Sequence, residues 1–320
     1  MKHDRFQNHI AESTLTLPVC AVLATFLWWW PSRVFDMEHV VGWLVCALAA
    51  YLLMEINNEN QLIRLRTRLV SSVWLVSLGC MAFLHPIGKG GLCALCLVAS
   101  YFVLFRCYQQ RDCLRDVFHC FLLLGVGSLM YLPFAFLVLA YFWYLAIFLR
   151  AMDWHIFWAG IIGLLFPYWM WFCWSFLQQD FTVLLSHLQF HPEWSLPSFT
   201  QSVLQLSLSQ KFSWVLVTIL VVIGALHFLR TRYTDKIRVR MLFYILACQV
   251  FLLEACFVVF PDDFDVLMPL LVLSGCPFVA HYFALTGSWF TNILFCLSIL
   301  AFGALATMPF WITLMNINFN

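Results

Sequence analysis

The chain has 320 residues, 63% hydrophobic and only 10% charged, with a formal net charge of +1. A soluble domain carries about 25% charged residues, so this chain lacks the polar surface that a water-borne fold needs. Its 15 Trp and 33 Phe also exceed what one soluble core of this length would hold. The near-neutral balance offers nothing to nucleic acid, and the informative quantity is how the charges are distributed along the chain.

In chain order, the start reads MKHDRFQNHIAESTLTLPVC. Its first fifteen residues are mostly polar and carry both signs. No A-x-A-like site follows the apolar run, so the first apolar segment reads as a retained helix and not as a cleaved signal. Eleven apolar segments follow: Leu15–Trp30, His39–Met54, Leu69–Leu84, Gly91–Phe105, Val117–Leu132, Phe134–Leu149, Trp154–Leu177, Phe212–Leu229, Met241–Phe260, Phe264–Leu285 and Trp289–Met315. They are continuous apolar runs, unlike the alternating segments of about ten residues that build an outer-membrane barrel. A helix needs about 20 residues to cross ~30 Å of hydrocarbon. The fifth and sixth segments, divided by Pro133, are short enough to form a tight hairpin or a re-entrant pair. The expected fold is therefore all-α, a polytopic transmembrane bundle of ten or eleven spans forming one integral-membrane domain over residues 1–320. Within it, segment 178–211 reads as an outer, interfacial stretch, with Phe190, Trp194 and Phe199 suited to burial at the membrane surface.

Lys and Arg alternate between loops. The N-terminal tail has Lys2 and Arg5. The second loop has Arg64, Arg66 and Arg68; the fourth has Arg106, Arg111 and Arg115; the sixth has Arg150; the eighth has Arg230, Arg232, Lys236, Arg238 and Arg240. The odd loops hold only Arg33, Lys89 and Lys211. Fourteen basic residues against three, in register through every loop, place the N-terminus in the cytoplasm by the positive-inside rule. The tetrapeptide LRTR occurs twice, at 65–68 and 229–232, each time between apolar segments. These arginines read first as topological anchors. Cytoplasmic arginines at headgroup level also attract anionic lipid at about 1 kcal/mol each, and Arg64 and Arg68, four apart, share a face if helical.

Glu254 is the carboxylate placed within a span. A charge there is costly and normally faces a bundle interior or a wet cavity. It is the intramembrane candidate for proton or cation coupling, and the plainer reading is a glutamic acid hydrogen-bonded to a neighbouring helix. Asp262, Asp263 and Asp265 form an acidic cluster in the outer loop just after that helix, able to gather cations or simply to make a polar turn. Asp36 and Glu38 in the first outer loop resemble the acidic pairs of polyprenyl-phosphate-dependent glycosyltransferases, but the loop is short and reads better as a polar connection. His187 and His191 have the i, i+4 spacing of a weak zinc pair with no third ligand dictated, and Pro192 ends any helix there. Cys93 and Cys96 make a C-x-x-C, although most of the thirteen cysteines lie in apolar runs as small apolar residues. Gly160, Gly163 and Pro167, and again Gly275 and Pro277, mark helices that pack closely or kink. No nucleotide fingerprint and no cofactor motif occurs, and the expectation leans away from an enzyme.

Three stretches carry a family resemblance: NENQLIRLRTRL (58–69), DVFHCFLLLGVGSLMYLPFAFLVL (116–139) and DWHIFWAGIIGLLFPYWMW (153–171). In its first half the chain resembles a family of polytopic inner-membrane proteins of Bacteroidetes with no assigned function. That resemblance implies a cell inner membrane and supplies no chemistry. Three functions stay open: an envelope-biogenesis protein that handles or moves a lipid-linked or lipid-like substrate; a secondary transporter of a small solute coupled through Glu254; and a non-catalytic membrane partner subunit of an envelope complex. The expected partners are membrane lipids or another membrane protein. A lateral cleft lined by arginines favours the first, and a closed polar cavity containing Glu254 the second. A broad apolar flank without a cavity favours the third.

Overall fold

The computed structural model describes residues 5–30, 36–110, 112–188 and 196–318; of 196–198 and 312–318 it describes the backbone. Among the described residues there are fourteen α-helices and no strand. They are α1 (Phe6–Glu12), α2 (Thr16–Trp29), α3 (Met37–Asn60), α4 (Leu69–Gly79), α5 (Lys89–Leu104), α6 (Leu114–Met130), α7 (Leu137–Ile147), α8 (Trp154–Gln178), α9 (Thr182–Leu188), α10 (Leu196–Gln205), α11 (Leu208–Thr231), α12 (Ile237–Val259), α13 (Phe264–Leu285) and α14 (Trp289–Asn318).

Seven of these helices, α3, α5, α8, α11, α12, α13 and α14, are long and apolar enough to cross a membrane, and an eighth is gained if α1 and α2, bent by 96° to each other, make one broken span. Each of the eleven apolar segments became helical, but four are short. The eleven residues of α4 rise ~16 Å, about half the hydrocarbon thickness. A short 3-10 turn at Ala82–Leu84 continues that path after a break at Cys80–Met81. Pro133 sits inside a 3-10 turn, Leu132–Phe136, that joins α6 to α7. Segment 178–211 contains α9 and α10, two short helices. Phe190 and Trp194, with Lys2, Arg33 and Arg111, lie outside the described residues.

The core is built on α13. Its membrane-length stretch is 94% buried, and α11, α12, α4, α5 and α1 all pack on it. A helix surrounded by helices need not be amphipathic, and its sequence is apolar on all sides. Close crossings rest on glycine. A Cβ on Gly224 of α11 would lie 2.5 Å from the Phe278 carbonyl oxygen of α13, and one on Gly163 of α8 would lie 2.4 Å from the Phe118 carbonyl oxygen of α6. Small residues of this kind let membrane helices touch backbone to backbone.

Hydrogen bonds show which ends of the helices meet. At one end Asn60 accepts from Arg238, Gln61 from Lys236, and the Leu149 carbonyl from the amide of Gln109. Gln7 donates to Phe283 at that same end. At the other end Asp263 accepts from Tyr131 and Asp265 from Gln210. The second, fourth, sixth and eighth loops and the start of α1 thus gather at one basic end of the bundle, and the PDDFD turn lies at the other.

Candidate functional site

The two arginine-bearing loops meet. The first begins where Gln61, with φ of 51°, turns the chain out of α3 in the left-handed conformation. Asn57 then donates from Nδ2 to the Thr67 carbonyl at 3.0 Å, closing the loop on the helix it left. Leu62 and Ile63 are buried, Thr67 is buried, and Arg64, Arg66 and Arg68 point outward. The second loop leaves α11 through a 3-10 turn, Arg232–Thr234, and its Asp235 faces inward. Arg64 Nε reaches Asp235 Oδ1 at 2.9 Å, with the Asp235 side chain only 1% exposed and the Arg64 side chain 45% exposed. The second Asp235 oxygen lies 3.4 Å from Nε2 of His281, a fully buried residue of α13. His227 of α11 packs beside it, with ring centres 5.7 Å apart.

Among the described residues, several other basic side chains also have partners. Arg238 donates to Asn60 Oδ1 at 2.8 Å and to the Phe105 carbonyl at 3.2 Å. Arg232 donates to the Tyr244 hydroxyl at 2.6 Å. Arg106 grips Glu59 through two nitrogens, but both side chains are more than a third exposed, so that pair contributes little to stability. Arg240 carries a buried Nε with no partner among the described residues. Arg66, Arg68 and Arg230 are exposed.

Beside Arg64 opens a cleft of about 530 Å³, lined by Arg5, Asn8 and Glu12, by Arg64, and by Thr286 and Gly287 at the α13–α14 junction. Arg5, Asn8 and Glu12 are spaced three and four apart and so share one edge of α1. Arg5 donates to the Gly287 carbonyl. Gln7, on the opposite edge and 1% exposed, locks α1 in place by donating to the Phe283 carbonyl at 2.6 Å and to Thr286. The other side of α1 borders a second, apolar groove of about 390 Å³. Val19 and Leu23 of α2, Val73 and Val76 of α4, and Phe295 and Phe302 of α14 line it. It lies between α2, which packs on α4, and α14, which packs mainly on α11. An apolar lateral groove and an arginine-bearing polar cleft therefore share α1 as a common wall.

The structure places the sequence candidates as follows. Glu254 accepts hydrogen bonds from Thr218 Oγ1 at 2.7 Å and Trp214 Nε1 at 3.2 Å, both on α11. It ties α12 to α11 and lines neither the cleft nor the groove. The acidic turn is shared out: Asp263 accepts from the Tyr131 hydroxyl at 2.8 Å and Asp265 from Gln210 at 3.0 Å. No group of three metal-capable side chains occurs among the described residues. His187 contacts the Ser128 carbonyl at 3.1 Å, and His191 lies outside the described residues. Asp36 precedes α3 without a capping side-chain bond. Cys93 is fully buried with its thiol toward the Gly127 carbonyl, and no cysteine among those described is in a disulfide. Sequence reasoning passed over His227, His281 and Asp235. The signal was present: a histidine in the apolar run VAHYFAL is an intramembrane ionisable group, which deserves the same scrutiny as Glu254.

Fold and site together define a helical membrane protein: an all-α bundle with seven membrane-length apolar helices and a polar, arginine-bearing cleft at its basic end. Comparison with protein-family models, with curated proteins and with solved structures finds no match to this chain.

Proposed function

We propose that this chain sits in the cell inner membrane with its basic end and N-terminus in the cytoplasm. In this reading it threads the bilayer ten or eleven times and binds a lipid-like molecule so as to handle or move it in envelope biogenesis. The single observation that supports the lipid reading is the pairing across α1 of the lateral groove and the arginine-bearing cleft. A groove between α2, α4 and α14 suits a hydrocarbon chain entering from the side. A polar cleft at the same end suits the head that the chain carries. Short helices such as α4 fit a protein that leaves part of its thickness open to lipid, since a shorter apolar stretch is accommodated by local bilayer thinning.

Coupled solute transport through Glu254 gains no cavity from the geometry, because that carboxylate is taken up by Trp214 and Thr218. A pure partner-subunit role would draw on the aromatic flank of α8, where Trp158, Trp169 and Trp174 are exposed. Lipid tails require the same kind of surface.

A lipid with a photoactivatable acyl chain, incorporated into vesicles with the full-length protein, tests the reading. Cross-links are expected to concentrate on α2, α4 and α14 at the groove. An even scatter over the exposed face of α8, with none in the groove, would overturn it.

A further inference from the structure

We infer that Arg232, Arg240 and Tyr244, at the basic end of the bundle, form a binding site for a phosphate monoester, presented either on a lipid head or as a soluble ester. None of the three lines the groove or the cleft, so the inference stands or falls apart from the lipid reading above.

The turn after α11 and the start of α12 bring the three side chains together. Arg232 opens the 3-10 turn that follows α11. Arg240 and Tyr244 lie four residues apart near the start of α12, on one face of that helix. Arg232 donates from a terminal nitrogen to the Tyr244 hydroxyl at 2.6 Å, with its guanidinium carbon 5.7 Å from the ring centre. The ring is itself held. Phe148, at the end of α7, and Phe228, of α11, pack on it with ring centres 6.0 and 5.9 Å away. The platform is therefore fixed by packed helices, which is what keeps a binding group close to its working position.

The donors of this cluster outnumber its acceptors. Arg232 spends one of its five N–H groups on Tyr244. The Tyr244 oxygen accepts that bond, and its own hydrogen remains to be given. Arg240 holds its Nε buried with no acceptor among the described residues, a charged donor left with its desolvation cost. No carboxylate among the described residues pairs with Arg232 or Arg240. The one acid of the connecting loop, Asp235, is buried and turned toward His281. The first turn of α12 has no acid, and no side chain caps it. Three donor groups and two positive charges thus gather with no acceptor to take them. A planar guanidinium fork matches phosphate oxygens two at a time. A phosphate diester brings a single negative charge, whereas a monoester brings about −1.5 to −2 at neutral pH and so balances both arginines. Phe251 lies two turns beyond Tyr244 on the same face of α12 and is 78% exposed, a surface along which the chain of a lipid ester can lie.

The test uses the full-length chain purified in detergent. Phosphatidic acid, a monoester, and phosphatidylglycerol, a diester, are offered with identical acyl chains, and retention is read by native mass spectrometry. Because the chains are the same, the groove contributes equally to both. Glycerophosphate, a soluble monoester, is offered in parallel by calorimetry. Phosphatidic acid is expected to be retained several-fold over phosphatidylglycerol. R232Q and R240Q should each lower its retention by about tenfold, the size of one lost charge-assisted hydrogen bond, and bring the two lipids level. Y244F keeps the ring on Phe148 and Phe228 and removes only the hydroxyl. It should lower the preference several-fold, and it carries the test if an arginine variant fails to fold. R66Q, on the other basic loop, should leave the preference unchanged. A preference for phosphatidic acid that the site substitutions abolish assigns the site to a lipid head. Binding of glycerophosphate that R240Q abolishes, without a lipid preference, assigns it to a soluble ester. Absence of both, or binding that survives all three site substitutions, would overturn the inference. An equal loss in R66Q would mean general attraction by the basic end and would overturn it as well.

Discussion

Arg64 and Asp235 stand 2.9 Å apart although one follows α3 and the other precedes α12. Their contact brings the two LRTR-bearing loops onto one surface. With Asp235 1% exposed and His281 behind it, the carboxylate is a buried charge whose compensation comes from a single exposed arginine and a histidine. Removing a buried group's partner leaves the full desolvation penalty behind. D235A is therefore expected to cost about 2 kcal/mol, because it strips His281 Nε2 of its polar contact and leaves a void. Arg64→Gln should cost at least as much, about 2–3 kcal/mol, because it leaves the Asp235 carboxylate, 1% exposed, without its cation. Unfolding in mild detergent, followed by tryptophan fluorescence, measures both. A cost well under about 1 kcal/mol for Arg64→Gln would mean that the carboxylate does not depend on this arginine.

Helix crossings give a second expectation. Gly224→Ala would set a Cβ 2.5 Å from a backbone oxygen of α13, and Gly163→Ala one 2.4 Å from a backbone oxygen of α6. Backbone cannot swing aside as a side chain can, so each substitution should destabilise by about 1–3 kcal/mol. Gly303→Ala on α14 meets nothing within 4 Å and should be neutral or slightly stabilising by helix propensity. Thermal aggregation midpoints of the three variants, compared in one detergent, check the ranking.

A third expectation concerns pH. His85, just after the 3-10 turn that follows α4, is 2% exposed, lies 3.2 Å from the Gly79 carbonyl and stacks on Trp28 with ring centres 4.2 Å apart. Burial pushes its imidazole down from 6.5 to about 4, against the raising effect of that carbonyl. The neutral form is thus favoured in the folded state. Its contribution to stability is fully present above pH 6.5, falls as the pH drops and levels off below about 4, because in that window the unfolded chain binds the extra proton. Melting temperatures measured across this range should show the loss, and His85→Asn should flatten it. An identical slope in the variant would assign the pH dependence elsewhere.

Sidedness gives a fourth. A reporter fused after Arg240 should prove cytoplasmic, and one inserted after Asp263 periplasmic, since these positions lie at opposite ends of the bundle. Reversal of both would invert the topology while leaving the fold intact; a shared side would break it.

Much of the architecture was legible in the sequence. The eleven apolar segments all became helices, because a hydrophobic run in a chain this poor in charge has no other way to satisfy its backbone. The length of the spans was less legible. Hydropathy reads Leu69–Leu84 as one segment, whereas the chain breaks at Cys80–Met81 and re-forms as a 3-10 turn, a choice set by packing against α2 and α13. The site was legible only in its parts. The spacing of Arg64, Arg66 and Arg68 announced a basic loop, but which of the three is gripped depends on Asp235, far along the chain. Along 62–68, Leu62, Ile63 and Thr67 are buried and the three arginines turn outward, and only the folded loop shows that Arg64, of the three, meets a buried carboxylate. Glu254 drew notice as a charge in an apolar run, and its two donors on α11 are invisible to a one-dimensional reading.

The central claim is that the groove between α2, α4 and α14 holds a lipid chain. Native mass spectrometry of the purified wild-type chain and of Val76→Trp, which fills the groove from α4, tests it most directly. The account predicts a bound lipid mass on the wild type that is lost from the variant while the variant keeps its fold. A wild-type chain that sheds every lipid, or a variant that retains lipid as well as the wild type does, would contradict it.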